Sequence, residues 1–189
     1  MSTTITRAAD LPRVPWRNGQ GRTTEIARDG AGAEFTWRVS LAEVARSGDF
    51  SPFPGVDRII ALVEGDAMTL HLPDRTHVLR PDEPFAFDGG LPVRCEVDRP
   101  TRDLNVMTRR GAAAASLRVL RLAAGERPVV VPAADVVVLV VLDGTAELEA
   151  PDRPAGLRAG DAAVTDAAVR VSGAGRVAVA TISGLPTSR

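Results

Sequence analysis

Residues 73–80 read Pro-Asp-Arg-Thr-His-Val-Leu-Arg, and residues 151–158 read Pro-Asp-Arg-Pro-Ala-Gly-Leu-Arg. The two octets lie 78 residues apart in a chain of 189. Each follows an apolar segment, a glycine (Gly65, Gly144) and a second apolar segment. Each precedes an acidic turn, Asp82-Glu83 or Gly160-Asp161, and a further apolar run that ends at Asp88 or Asp166. Self-similarity at a fixed spacing, with matching neighbours on both sides, reads as an internal repeat.

The chain around the repeat is written in short β-type segments. Runs rich in Val, Ile, Leu and Phe alternate with Gly, Pro and Asp, the pattern of a sandwich or barrel. Strands are predicted at 35–40, 58–64, 67–72, 85–87, 94–97 and 104–108. After the break at 109–116 they resume at 117–122, 129–131, 136–142, 146–149, 162–165, 169–172 and 177–182. One short helix is expected where Ser40-Leu41-Ala42-Glu43 offers capping-box spacing ahead of Val44-Ala45. Strand, glycine turn, strand, Leu-Arg turn and strand resembles the core of a cupin, the small double-stranded β-helix barrel. Two copies imply an all-β bicupin, with two jelly-roll-like barrels in one chain. Residues 1–110 are expected to form an N-terminal lobe with the ligand site, and 111–189 a C-terminal lobe without one. N-terminal strands that cross into the other lobe remain compatible with this division.

Composition narrows the function classes. Lys+Arg 23 against Asp+Glu 24 gives a net charge of −1, so no general field draws the chain to nucleic acid or membrane. Cys95 is the single cysteine; it precludes an internal disulfide and fits a reducing compartment. No apolar signal core follows Met1, and the longest apolar run, Val136 to Leu142, is far too short to span a bilayer. A cytoplasmic location is expected.

Metal chemistry lacks its ligands. The two histidines, His71 and His77, are not in a His-x-His pair, and both fall in the first repeat; no cofactor or metal is expected. His71 faces away from Met68, Leu70 and Leu72 on its strand. Cys95, between Arg94 and Glu96, reads as a buried strand cysteine rather than a nucleophile.

The polar residues of the N-terminal half carry the functional signal. Pro15-Trp16-Arg17-Asn18-Gly19-Gln20-Gly21-Arg22-Thr23-Thr24-Glu25-Ile26 is glycine-punctuated, and Gly19 and Gly21 allow positive φ or a close backbone approach by a ligand. Thr23 and Glu25 share one strand face, Arg38 and Ser40 another, and Asp103 and Asn105 a third. Pointed inward, these faces converge on one cavity; pointed outward, they are an ordinary solvated surface. For Ser40 a helix N-cap role is the competing expectation.

At these residues the chain resembles a known family. Trp16-Arg17-Asn18-Gly19-x-Gly21-x-Thr23-x-Glu25-Ile26, Trp37-Arg38-Val39-Ser40, Phe50-Ser51-x-Phe53-Pro54-Gly55-Val56-Asp57-Arg58 and Asp103-Leu104-Asn105-Val106-Met107-x-Arg109-Arg110 are similar to the signature of the HutD/Ves family. The four motifs run in family order over residues 15–110. Gln20 stands where glycine is common, Arg17 where lysine is common and Leu104 where an aromatic is frequent. The resemblance implies a bicupin that binds a small molecule and regulates bacterial histidine utilisation; the Ves branch, linked to stress and cold response, shares the motifs.

Its expected ligand is a small carboxylate such as urocanate or N-formylglutamate. Arg38 or Arg58 would grip the carboxylate through a charge-assisted pair, and Glu25 or Asp103 would accept from an N–H. Thr23 and Asn105 would orient the ligand, Phe53 would supply an apolar wall, and Asn18 and Ser40 complete the set. A metal-independent isomerase, lyase or hydrolase using Glu25 or Asp103 as general base is the alternative, and a protein-binding scaffold a third class. Cupins often pair through edge strands, which leaves a homodimer open.

Overall fold

The computed structural model describes residues 2–16, 21–30 and 34–185. In chain order the strands are β1 (Thr3–Thr6), β2 (Arg13–Pro15), β3 (Gly21–Arg28), β4 (Trp37–Val44), β5 (Gly48–Asp49), β6 (Val56–Glu64), β7 (Met68–His71), β8 (Thr76–Leu79) and β9 (Pro84–Asp88). They continue as β10 (Arg94–Glu96), β11 (Thr101–Arg109), β12 (Ala113–Leu122), β13 (Val129–Val131), β14 (Val136–Glu149), β15 (Ala155–Arg158), β16 (Ala162–Thr165) and β17 (Val169–Gly184). Among the described residues the helical content is one 3-10 turn, Ala8–Asp10, and no helix is long and apolar enough to cross a membrane. The fold is all-β.

The chain divides into two compact units. One comprises Pro12–Ala115 with Leu185; the other takes the chain up to Leu11 together with Ser116–Gly184. The sequence-based boundary after residue 110 thus falls just before the division, and β1 lies with the later residues, paired with β16 from Thr3↔Thr165 to Thr6↔Ala162.

The Pro12–Ala115 unit contains a six-stranded sheet, β2-β3-β4-β11-β6-β9, and a four-stranded sheet, β5-β10-β7-β8. Val44, Ile60 and Leu62 from the large sheet meet Met68, Leu70, Leu79 and Cys95 from the small one in a buried apolar layer. In β7 the alternation Met68-Thr69-Leu70-His71 buries the first and third residues and leaves His71 outside, as period-2 geometry requires.

In the other unit, β1-β16-β14-β17-β12 form one sheet, with β13 on β17 and β15 on β14. Its core is built from Val137, Leu139, Val141, Ala146, Leu148, Val169, Val171, Val177 and Val179. Inward positions on β14 change from odd to even numbers across the register shift between Val141 and Asp143. One extra residue there reverses the pleat and bends the strand.

Three expectations are corrected by this architecture. Ser40–Val44 is not helical: it is the second half of β4, hydrogen-bonded to β11 on one side and β3 on the other. Two neighbouring strands satisfy every backbone group that a capping box would only begin to satisfy. Gly144 does not close a hairpin. The segments at 136–142 and 146–149 are one strand, as are 169–172 and 177–182. Gly144 (φ +69), Gly173 (φ +142) and Gly175 (φ +136) let the paired strands bend together, with opposing carbonyls where Cβ atoms would stand. Asp143 Oδ2 accepts from Arg176 Nε at 2.6 Å across that bend. Finally, strands β1, β2, β5, β8 and β15 were not anticipated, and β3 only through the alternation of Thr23 and Glu25; β8 and β15 fall in the second halves of the repeated octets.

Candidate functional site

The register of the large sheet brings the polar positions together. Arg38, Met107 and Arg58 are directly opposite one another across β4, β11 and β6; so are Ser40, Asn105 and Ile60, and then Ala42, Asp103 and Leu62. Glu25 stands beside Ser40 and Thr23 beside Ala42 on β3. Directly opposed residues in antiparallel strands share a face, so three rows carry the polar set toward the small sheet. The intervening residues Val39, Leu41, Leu104 and Val106 take the opposite face and are also buried.

A cavity of about 610 Å³ opens over these rows. Its walls include Thr23, Arg38, Ser40, Ala42, Arg58, Asp103, Asn105 and Met107 from the sheet. Val14, Pro15 and Trp16 contribute from one side, and Asp49, Phe50, Ser51 and Phe53 from the segment between β5 and β6. Trp16 is fixed by its indole Nε1, which donates to Thr23 Oγ1 at 2.7 Å. Gly21 allows this: a Cβ there would lie 3.1 Å from the Trp16 ring and against the Glu43 carbonyl. The space beside Gly21 is filled by the protein itself, not left for a ligand.

Charge at the base of the cavity is arranged as a line. Arg58, only 5% exposed, donates through Nη2 to Asn105 Oδ1 at 2.5 Å. Asn105 turns its amide nitrogen to Asp103 Oδ1, and Asp103 is fully buried. Arg58 Nε and Asp103 Oδ2 have no hydrogen-bond partner among the described residues. The Arg58 guanidinium carbon lies 5.0 Å from the centre of the Phe87 ring, 5.1 Å from Phe50 and 5.9 Å from Phe53, within cation–π range of all three. Burial, with the like charge of Arg38, pulls Arg58 down to about 10, against the attraction of Asp103. Burial pushes the Asp103 carboxyl up to about 7 although Arg58 and the Asn105 amide pull the other way. For both groups desolvation outweighs the opposite charge.

Seven of the residues singled out from sequence line the cavity: Thr23, Arg38, Ser40, Phe53, Arg58, Asp103 and Asn105. Glu25 does not; its Oε2 accepts from Arg38 Nε at 2.9 Å, holding that arginine from behind. Asn18 lies outside the described residues. Ser40, expected as a helix cap, instead sits mid-strand and buried on the cavity wall. Trp16, Phe50 and Met107 were missed as site residues, although the aromatic, proline-broken run 50–54 carried a readable signal: a loop with two phenylalanines has to bury them somewhere.

The residues outside the cavity have ordinary roles. His71 Nε2 pairs with Glu96 Oε2 at 2.8 Å on an exposed face, and His77 stacks on Phe85 with ring centres 3.7 Å apart. Arg110 bridges Asp57 and Asp88 at 2.7 and 3.0 Å on the surface. Cys95 is fully buried, and burial, reinforced by the Asp103 charge, pushes its thiol up to about 12. Among the described residues no group of three or more His, Cys, Asp or Glu side chains could hold a metal ion. The cavity offers two guanidinium groups and three hydroxyls beside two carboxyl groups, Asp49 and Asp103, and aromatic walls; its guanidinium groups suit a small anion with a flat or apolar body.

Comparison with known proteins agrees with the motifs. Over 107 residues the chain is 43% identical to an uncharacterized 21.2 kDa protein in the hutC 3′ region of Pseudomonas putida. The match covers 54% of this chain and 56% of that protein. It is 41% identical over 117 residues to protein Ves of Citrobacter koseri, covering 58% of this chain and 61% of that one. The chain thus spans less than two thirds of the length of either relative.

Among solved structures, a conserved protein of unknown function from Pseudomonas aeruginosa superposes with TM-score 0.88 at 32% identity, over 97% of this chain and 100% of that one. HutD from Pseudomonas fluorescens does so with TM-score 0.81 at 27% identity, over 98% and 100%. A cupin 2 conserved barrel domain protein from Leptotrichia buccalis, TM-score 0.55 at 10% identity over 85% and 88%, shares the fold alone. The fold is cupin-like. With the HutD family profile matching residues 8–180, the chain belongs to the HutD family.

Proposed function

We propose that this chain is a small-molecule-binding regulator of bacterial histidine utilisation, and that its ligand is a small carboxylate such as urocanate or N-formylglutamate. The observation that carries the reading is Arg58. A guanidinium 5% exposed, bordered by three phenylalanine rings at the base of a cavity and linked to Asp103 only through the Asn105 amide, leaves its Nε without a partner among the described residues and so has donor capacity for a ligand anion. Arg38 supplies a second cation, Thr23 and Ser40 supply hydroxyls, and Phe50 and Phe53 flank the ligand body.

The reading takes the chain as cytoplasmic, without a resident cofactor and without a nucleic-acid or membrane partner. It also takes the two units as two cupin barrels, of which the Pro12–Ala115 unit holds the site. Strand pairing supports that duplication. Met68↔Leu79 and Leu70↔His77 in β7–β8 recur 78 residues on as Ala146↔Leu157 and Leu148↔Ala155 in β14–β15. A metal-independent enzyme is favoured only by the Asp103 carboxyl near 7 on the cavity wall; the side chains linked to it are the Asn105 amide and, through that, the Arg58 guanidinium, neither of them a nucleophile.

Calorimetry with urocanate and N-formylglutamate tests the proposal. Binding that raises the melting temperature of the wild type and is weakened in Arg58→Gln is expected. Turnover of either compound would favour the enzyme, and absence of binding by both would remove the ligand assignment.

A further inference from the structure

We infer that the cavity takes up its anion together with one proton, stored on Asp103 in the cavity wall; this rests on the carboxylate-binding reading above. Asp103 has one hydrogen bond, from the Asn105 amide to Oδ1, while Oδ2 is buried with no partner among the described residues. The orientation of Asn105 is fixed at both ends, oxygen to Arg58 and nitrogen to Asp103. Arg58 therefore cannot close a two-point pair with Asp103, and the carboxylate is only half compensated. A buried charged oxygen with no donor from the protein is costly, and burial holds this carboxyl at about 7.

The other charged and titratable groups around Asp103 do not take its place. Arg58 faces it from β6. On β4, Arg38 is committed through Nε to Glu25 of β3. Cys95 on β10 is held neutral by burial. Asp49 on β5 lines the cavity with Arg94 3.7 Å away.

With the cavity empty, Arg58 and an ionised Asp103 sum to zero. An anion placed against Arg58 adds a second negative charge within the same low-dielectric region, and a proton on Asp103 relieves it. Binding thus raises the proton affinity of Asp103, and by reciprocity protonation of Asp103 tightens the anion. Below about pH 6 Asp103 already carries its proton, so affinity is flat and binding takes up none. Above about pH 7 each anion draws up to one proton, and affinity falls by as much as about tenfold per pH unit.

N-formylglutamate and formate are suitable probes because neither has a group that titrates near neutrality. Each is titrated into the full chain by calorimetry at about pH 6, 7 and 8, in buffers of low and high ionisation enthalpy, so that the protons bound per anion are counted. Uptake that grows from near zero to between about half a proton and one proton over that range is expected, with affinity falling in parallel. In Asp103→Asn the amide oxygen can still accept from Asn105 and an N–H replaces the unpaired oxygen. That variant is expected to take up no proton and to lose the pH dependence of affinity, whatever its absolute affinity. Binding without proton uptake in the wild type overturns the inference and leaves the carboxylate reading standing. Uptake that persists in a folded Asp103→Asn overturns it as well, since the proton then resides elsewhere. If neither probe binds at any pH, the carboxylate reading falls and this inference with it.

Discussion

Asp82 and Gly160 occupy the same place in two turns of one design. Both have left-handed backbone, φ 68 and φ 87. In each turn the following amide closes on the Arg carbonyl three residues back: Glu83 N to Arg80 O at 3.2 Å, and Asp161 N to Arg158 O at 2.9 Å. Asp82 is the one non-glycine residue with positive φ among those described. Aspartate tolerates this region better than most residues. Asp82→Gly is expected to stay within about 0.5 kcal/mol of wild type, because relief of the turn and added unfolded-state entropy offset each other. Gly160→Ala is expected to lose about 1–2 kcal/mol, and a Cβ there would also lie 2.8 Å from the Ala8 side chain. Urea denaturation of the two variants checks both values; equal losses would place the two turns in different environments.

Gly89 sets the position of Arg58. A Cβ at Gly89 would stand 3.0 and 3.1 Å from Arg58 Cγ and Cδ and 2.8 Å from the Val56 carbonyl. That carbonyl cannot yield freely, because it accepts the Gly89 amide at 2.8 Å. Gly89→Ala is therefore expected to cost about 1–3 kcal/mol of stability by overpacking, and to weaken carboxylate binding by moving the guanidinium. Retained affinity with lost stability would show that the side chain, not the backbone, absorbs the strain.

The repeat followed from self-similarity at a fixed spacing, and the all-β class, the pairing of Arg38 with Ser40 on one strand face and that of Asp103 with Asn105 on another followed from local strand-type patterning; that these faces meet did not. Ser40–Val44 was misread because a capping-box pattern is local too, while the two strands that claim those residues lie far away in sequence. Gly144 looked like a turn because φ > 0 serves a hairpin and a strand bend equally well; only the partner strand, with Gly173 and Gly175 opposite, decides between them. Trp16 and Phe50 escaped the site assignment because their positions depend on Thr23 and on the Val93 carbonyl, which accepts the Phe50 amide at 2.9 Å.

Stability should carry the signature of Asp103. Its folded-state carboxyl is raised to about 7 by burial, above the ordinary unfolded value of about 4. Between those two values the folded state holds a proton that the unfolded chain has released, so stability falls as pH rises from about 4 to about 7 and is level above. Asp29 and Asp161 have the opposite sign. In both, burial is outweighed by hydrogen bonds, from the Trp37 and Thr36 amides to Asp29 and from the Ala8 amide and Arg7 to Asp161, and both lie below the usual carboxylate range. Their contribution is lost as pH falls below about 4. Denaturant midpoints across pH are expected to peak on the acid side of neutrality in the wild type, and to lose the decline toward pH 7 in Asp103→Asn.

Cys95 should be inert in the folded protein. It is fully buried, and a thiol near 12 offers almost no thiolate at neutral pH. Reaction with an aromatic disulfide reagent is expected only at the rate of unfolding. Rapid stoichiometric labelling in native buffer would mean that the core around Cys95 opens locally.

The last prediction separates the two arginines. Arg58 meets the cavity directly, and replacing it with glutamine should cost about 1.5–3 kcal/mol of carboxylate binding, the range for a hydrogen bond to a charged group. Arg38 is different because Glu25 holds its Nε at 2.9 Å, with Arg28 Nη1 a further 3.9 Å from the same oxygen. Arg38→Ala removes a cation and leaves the Glu25 charge beside the cavity, so it should weaken binding as well. Glu25→Gln keeps the cation but loosens its aim, and a smaller loss, under about 1.4 kcal/mol or tenfold, is expected. His71→Ala and His77→Ala should bind as the wild type does, because His71 is occupied with Glu96 and His77 with Phe85, both outside the cavity. Calorimetry on all five variants with N-formylglutamate checks the order. A histidine variant that loses as much as Arg58→Gln would move the site away from the large sheet.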